Sequence, residues 1–235
     1  MTASIADSLP IALQAYPLTG KRAGLVIIDE VNGFCTPGCG PLAPPAPDAV
    51  VEQMVAETDA LAGRFLAGGL PVLVSLDSHD PAKPEPPYPP HCLQGTGDDQ
   101  LVPALQWLET APGVTLLAKD CINFYIGGVR ADGGNGVSDW IVGHKLETVV
   151  VVGICTDICV MDFVLTLLSA RNHGLTGDLR DVVVYEPACA TYDLPLEVAR
   201  KLGLPDTAAH PRAQTHHAGL YFMASRGALL AGRLD

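Results

Sequence analysis

VVVVGICTDICV, residues 149–160, decides the fold. Its four successive valines show no polar alternation, which predicts a strand covered on both faces, the habit of a parallel sheet. Gly153 ends the run, Ile154 to Thr156 turn the chain, and a helix is expected from Asp157, its cap, to about Arg171, with Cys159 in the first turn. Unpaired N–H groups at a helix start carry the positive end of the dipole, so a thiol there is acidified and a developing oxyanion can be held. The plainer role is two small cysteines packed at a strand end, since free cysteine is among the most buried residue types.

Other apolar runs repeat the pattern. AGLVII (23–28) ends in Asp29, LPVLVSL (70–76) in Asp77, Val114 to Ala118 in Lys119, and DVVVYE (181–186) approaches Cys189. Helical spacing lies between them over 49–66, 101–108, 137–142, 194–202 and 213–224. Strand and helix signals alternate without a composition break, which predicts one α/β domain over 1–235. The expected architecture is a three-layer αβα fold with a doubly wound, mostly parallel sheet of about six strands, preceded by a surface arm over 1–20. In such sheets ligands bind beyond the carboxyl ends of the strands, where Asp29, Asp77 and Lys119 all fall. A helix cap or a solvated surface lysine is the ordinary alternative.

The net charge of −12, from 14 basic and 26 acidic residues, argues against a phosphate-backbone partner. No apolar run reaches the roughly 18 to 20 residues of a membrane span. Seven cysteines, an odd count in a chain too long to need disulfide staples, together with a first segment lacking a basic and apolar leader, predict a reducing, cytoplasmic setting. Neither a phosphate-binding GxxxxGK[ST] nor a GxGxxG after a strand occurs, so nucleotide binding has no support. Nothing in the sequence opposes assembly into a homo-oligomer.

Residues 77–92, DSHDPAKPEPPYPPHC, form the second informative stretch. Asp77 and His79 stand two apart at a strand end, and His91 returns after a loop stiffened by closely spaced prolines, which lower the entropy lost in fixing a ligand geometry. One carboxylate and two imidazoles suit zinc, iron or manganese and leave positions open, with Glu85 as a further candidate ligand. The same residues also fit a solvated surface loop. Cys35 and Cys39 lack a second cysteine pair and make a weak metal signal. His216 and His217 are adjacent, point about 100° apart on a helix and are read as packing or surface residues.

Four pieces taken together, LVIIDEVNGFC (25–35), DSH (77–79) with YPPHC (88–92), LLAKD (116–120) and GICTDICV (153–160), resemble the cysteine-hydrolase, or isochorismatase-like, superfamily and its nicotinamidase branch. CATYDLP (189–195) and HHAGLY (216–221) look like the plant type. The resemblance implies a Rossmann-like fold and a triad of Asp29, Lys119 and Cys159. It further implies a cis peptide between Ile154 and Cys155, and an oxyanion hole from the N–H groups of Cys155 and Cys159. It assigns Asp77, His79 and His91 to one divalent metal, zinc before iron or manganese, with Glu85 near where some relatives place a fourth ligand. Phe34, Tyr88 and Tyr125 would wall a pyridine ring whose nitrogen meets the metal. The implied reaction is hydrolysis of nicotinamide to nicotinate and ammonia through a thioester. A related amidase acting on maleamate or a carbamoyl compound is the nearer alternative, and a non-catalytic metal-binding or redox module the more distant one. Glu30 and Gly33 depart from the DVQNDF text common in relatives, Tyr88 stands for a frequent Trp, and Ile158 for an often polar residue. These departures bear on pocket shape and therefore on substrate preference.

Overall fold

The computed structural model describes residues 5–235, so the first four residues of the expected arm lie outside the described residues. Seven strands are present: β1 (Gln14–Tyr16), β2 (Ala23–Ile28), β3 (Val72–Asp77), β4 (Val114–Lys119), β5 (Thr148–Ile154), β6 (Asp181–Ala190) and β7 (Leu229–Leu234). They form one sheet in the order β1-β7-β6-β5-β2-β3-β4, and every pairing is parallel. Five were expected from their apolar runs. The two added strands are neighbours at one edge, where three residues (QAY) and a run broken by Gly232 (LLAGRL) are too short for periodicity to register. The arm is therefore not wholly irregular: besides β1 it holds the short helix α1 (Ile5–Ser8).

The remaining helices are α2 (Asn32–Cys35), α3 (Ala49–Ala67), α4 (Phe124–Gly127), α5 (Gly136–Gly143), α6 (Met161–Asn172), α7 (Leu196–Lys201) and α8 (Arg212–Ala224). Local chemistry sets their starts. The Asp48 side chain accepts from the Val50 and Val51 N–H groups at the head of α3, and Asn135 does the same for Val137 and Ser138 at the head of α5. No helix among the described residues is long and apolar enough to cross a membrane.

The period of two along the strands builds two cores. Val26, Ile28, Val149 and Val151 face Phe163, Val164 and Leu167 of α6 and Leu220 of α8. Leu25, Ile27, Val150 and Val152 face Val51, Met54, Leu61 and Phe65 of α3. Every residue of β2 and β5 is buried, as their unbroken apolar text predicts.

Register then delivers the functional groups to one edge. Ile28 pairs with both Ser75 and Gly153, and Asp77 pairs with Lys119, so Asp29, Asp77, Lys119 and the turn after β5 emerge side by side. Chain order reverses between β2 and β5, which makes this the switch point of the sheet. Gly153 has φ +120°, and a Cβ there would lie 2.1 Å from the Ile28 carbonyl oxygen. Gly153→Ala must force the two central strands apart, and a loss of more than about 2 kcal/mol of stability is expected. An unchanged thermal midpoint would contradict this close approach.

Candidate active site

The turn after β5 carries Cys159. The peptide between Ile154 and Cys155 is cis, and Thr156–Val160 form one wide π turn that runs into α6. The helix therefore opens differently from the regular first turn expected at Asp157. The Ile158 and Val160 N–H groups both donate to the Cys155 carbonyl, at 3.0 and 3.1 Å. Asp157 makes no cap; its Oδ2 instead lies 3.2 Å from His210 Nε2. Cys159 is 8% exposed, and its side chain reaches the surroundings of a buried ammonium.

That ammonium belongs to Lys119, whose side chain is wholly buried. Its Nζ lies 2.9 Å from Asp29 Oδ2, 2.6 Å from Asp77 Oδ1 and 4.0 Å from Cys159 Sγ. The lysine stem is confined from behind by α4, since a Cβ on Gly127 would stand 2.5 Å from Lys119 Cβ. Ser75 donates to Asp29 Oδ1 at 2.6 Å, leaving Oδ2 toward the ammonium. Asp29 itself has φ +53°, a conformation uncommon outside glycine and found where surrounding structure imposes it, often at functional sites.

Burial governs the protonation of this group. It pushes the Asp29 carboxyl up against the opposing pull of Lys119, and pushes the Cys159 thiol up, again against Lys119. For Lys119 burial works downward, but Asp29, Cys159 and Asp77 outweigh it and keep the ammonium charged. The arrangement thus holds a neutral thiol and a carboxyl with raised proton affinity on either side of a fixed positive charge. Carboxyl and thiol share one buried cation, away from water.

Beside it lies the acid and histidine cluster. His79 Nε2 and His91 Nε2 lie 3.0 and 3.2 Å from Asp77 Oδ2. Asp77, His79 and His91 are all buried and present ligand atoms within 4.8 Å of one another. The Pro89 carbonyl, 2.8 Å from His91 Nδ1, can only accept, so Nδ1 holds a proton and Nε2 is the ring atom turned toward the cluster. Glu85 Oε2 stands 3.6 and 3.7 Å from the same two Nε2 atoms, while its Oε1 accepts from the Ile122 N–H at 2.7 Å. Two imidazole nitrogens and carboxylate oxygen converging on one point match the donor set of a divalent transition metal. Cys35 packs in the core and Cys39 Sγ donates to Asp98, so neither joins the cluster.

The aromatic residues divide. Phe34 and Tyr88 pack against His91 with ring centroids at 5.6 and 5.9 Å. Tyr125 is buried in the same core as Cys159, and its hydroxyl bonds Ser138 at 2.7 Å. Behind the turn that carries Cys159 stand groups for which the sequence offered no role. His216, read as packing or surface, has its Nδ1 2.9 Å from Thr156 Oγ1, whereas His217 bonds the Leu9 carbonyl, so the two point apart as expected. Thr191 and His210 complete that side. A polar residue inside the apolar LPVLVSL run was the available signal for Ser75; His210 had none.

Glu30, next to Asp29, is fully buried, with only the Thr58 hydroxyl donating to it, and burial pushes its carboxyl up to about 8. The folded state therefore keeps a proton that the unfolded chain loses near the ordinary carboxylate value, so stability falls as pH rises from there toward 8. Glu30→Gln is expected to raise the thermal midpoint at pH 8 and to leave it unchanged at pH 4. Equal midpoints at both pH values would refute the assignment of a neutral Glu30.

Comparison with known proteins places these features in context. The isochorismatase domain model matches residues 23–228. Nicotinamidase 1 of Arabidopsis thaliana is 50% identical over 215 residues, covering 92% of this chain and 87% of the relative. Among solved structures, a nicotinamidase from Bacillus subtilis superposes with TM-score 0.63 at 22% identity, over 89% of this chain and 99% of that one. An N-carbamoylsarcosine amidase from Thermoplasma acidophilum gives 0.61 at 24%, over 89% and 95%. At those identities the two structures speak for the fold alone.

Proposed function

The chain belongs to the isochorismatase family, and from that premise we propose that it is an amidohydrolase converting nicotinamide to nicotinate and ammonia, with Cys159 as nucleophile. The observation that supports this most is the buried Lys119 Nζ, shared between Asp29 and Asp77 and 4.0 Å from the Cys159 sulfur. The 50% identity to Nicotinamidase 1 of Arabidopsis thaliana, over 92% of this chain, supports the choice of substrate.

In this mechanism Asp29 takes the proton from Cys159 Sγ, and the sulfur forms a bond to the amide carbon while the carbonyl electron pair moves onto oxygen. The N–H groups of Cys155 and Cys159 receive that oxyanion, and each such donor is worth roughly 3 kcal/mol in the transition state. Lys119 offsets the negative charge as it passes between carboxylate and sulfur. Asp29 then hands its proton to the departing nitrogen, the C–N bond breaks and ammonia leaves. A water attacks the thioester, Asp29 accepts its proton, and the proton returns to sulfur as nicotinate is released.

Asp77, His79 and His91 would hold one divalent cation, zinc by the expectation above and iron or manganese by the same donor chemistry, with Glu85 beside them. When bound, the cation supplies a Lewis acid that orients the pyridine nitrogen. Phe34, Tyr88 and Tyr125 are the proposed ring contacts. His91→Ala is expected to lower metal content at least about tenfold, measured by elemental analysis of the purified protein; full occupancy would remove His91 from the ligand set.

Ammonia release from nicotinamide, maleamate and N-carbamoyl amino acids, with metal analysis on the same sample, tests the reading. Turnover of nicotinamide well above the others is the expected result. Preference for an aliphatic amide would assign the chain to another amidase, and no release from any would leave the site without this chemistry.

A further inference from the structure

The turn that carries Cys159 is one wide π turn over Thr156–Val160, in which the Ile158 and Val160 N–H groups both donate to the Cys155 carbonyl. A π turn is rare and occurs mostly as a single turn, often at functional sites, and this one has side-chain support from outside, at Thr156 from His216 and more deeply at Asp157. The support at Asp157 comes from a buried group which the proposed reaction does not use. His210 Nε2 lies 3.2 Å from Asp157 Oδ2, two residues before the nucleophile, and 3.1 Å from Thr191 Oγ1. The imidazole is 7% exposed and stacks on Tyr192, with centroids 3.8 Å apart and planes inclined by 27°.

Its backbone is pinned as well, through paired bonds between His210 and Leu194 of 2.7 and 2.8 Å. The ring therefore cannot follow Asp157 if the turn shifts; the turn must conform to the ring. Burial pushes the Asp157 carboxyl up, but its bond and charge interaction with His210 and its bond to Thr191 hold it below the ordinary range, so the partner of His210 is an anion. α8 closes the other side: a Cβ on Gly219 would lie 2.8 Å from Asp157 Cα.

We infer that His210 is a positioning residue, which acts through Asp157 and Thr191 to fix the turn so that Cys159 Sγ meets the amide carbon. This rests on Cys159 being the nucleophile. The ring touches neither Asp29 nor the cluster around Asp77, so its effect falls on the geometry of attack and not on metal binding.

The test compares His210→Ala with His210→Gln and His210→Asn in the full-length protein. Glutamine carries a donor to where Nε2 stands, and asparagine to where Nδ1 stands. His210→Ala is expected to lower kcat about 10- to 100-fold with KM within about threefold of the parent, and to slow iodoacetamide alkylation of Cys159, followed by peptide mass spectrometry, by a similar factor. His210→Gln should restore both to within about threefold, with metal content unchanged throughout. Equal kcat in His210→Ala and the parent, or equal impairment of the Gln and Asn variants, would overturn the inference. Should His210→Ala fail to fold, the Gln and Asn pair still decides it. Alkylation needs no substrate, so it judges His210 even if the amide proposed above is wrong; turnover persisting in Cys159→Ala would instead remove the nucleophile on which His210 is said to act.

Discussion

Cys159→Ala is expected to reduce turnover of nicotinamide by roughly 10⁴-fold or more while metal content and thermal midpoint stay near those of the parent. The size follows from the role: without the sulfur no thioester forms, and the remaining groups can only polarise the amide toward water. The folded state should tolerate the change, because Cys159 is small and its thiol leaves behind a cavity of about one atom, worth about 1 kcal/mol. Cys155→Ala serves as the comparison. It removes a thiol that is only partly buried and keeps the backbone N–H, so a loss of less than about tenfold is expected. Parent-like activity in Cys159→Ala would refute the nucleophile assignment, and equal damage from both substitutions would mean that the thiols act together.

The second large effect belongs to Lys119→Met. The ammonium lies within 3 Å of both the Asp29 and Asp77 carboxylates, and both are buried with it. Removing one partner of a buried ion pair leaves uncompensated charge and costs about 3 to 5 kcal/mol. Turnover should fall by at least about 10³-fold, since the carboxylate would take up a proton from solvent and cease to act as a base toward the thiol. Lys119→Arg should not rescue, because the slot is closed behind the stem by Gly127 and a guanidinium needs more room than an ammonium. Parent-like stability in Lys119→Met, measured by chemical denaturation, would show that the pair contributes nothing to the fold.

Much of this site was legible because its residues stand where strands end. A mostly apolar run reports a strand, and the residue that stops it lies at the ligand-binding edge; Asp29, Asp77 and Lys119 are each found that way, though the edge strand β4 is only partly buried. The spacing of Asp77, His79 and His91 fitted a metal site and a solvated loop equally, the prolines and the family resemblance favoured the first, and their ligand atoms do converge. Lys119 reaching Asp77 as well as Asp29 was not legible, because a contact between neighbouring strands depends on register, which the text of one strand does not contain. Thr191, His210 and His216 escaped for a related reason. Thr191 and His210 sit in segments with no periodicity of their own, His216 on a helix whose periodicity says nothing of its contacts, and their partners lie 19 to 60 residues away along the chain. Asp157 misled the reading directly: an acid before a helix looks like a cap, and here it is occupied by an imidazole instead.

Ser75 has a wider consequence than its single bond of 2.6 Å to Asp29 suggests. A free carboxylate is symmetric, and rotation about its bond exchanges its two oxygens at no cost. With one oxygen fastened to a hydroxyl that issues from the adjoining strand, that symmetry is broken before any ligand arrives. For the base proposed above, the proton then has one address, and the barrier to reaching it contains no term for turning the acid around.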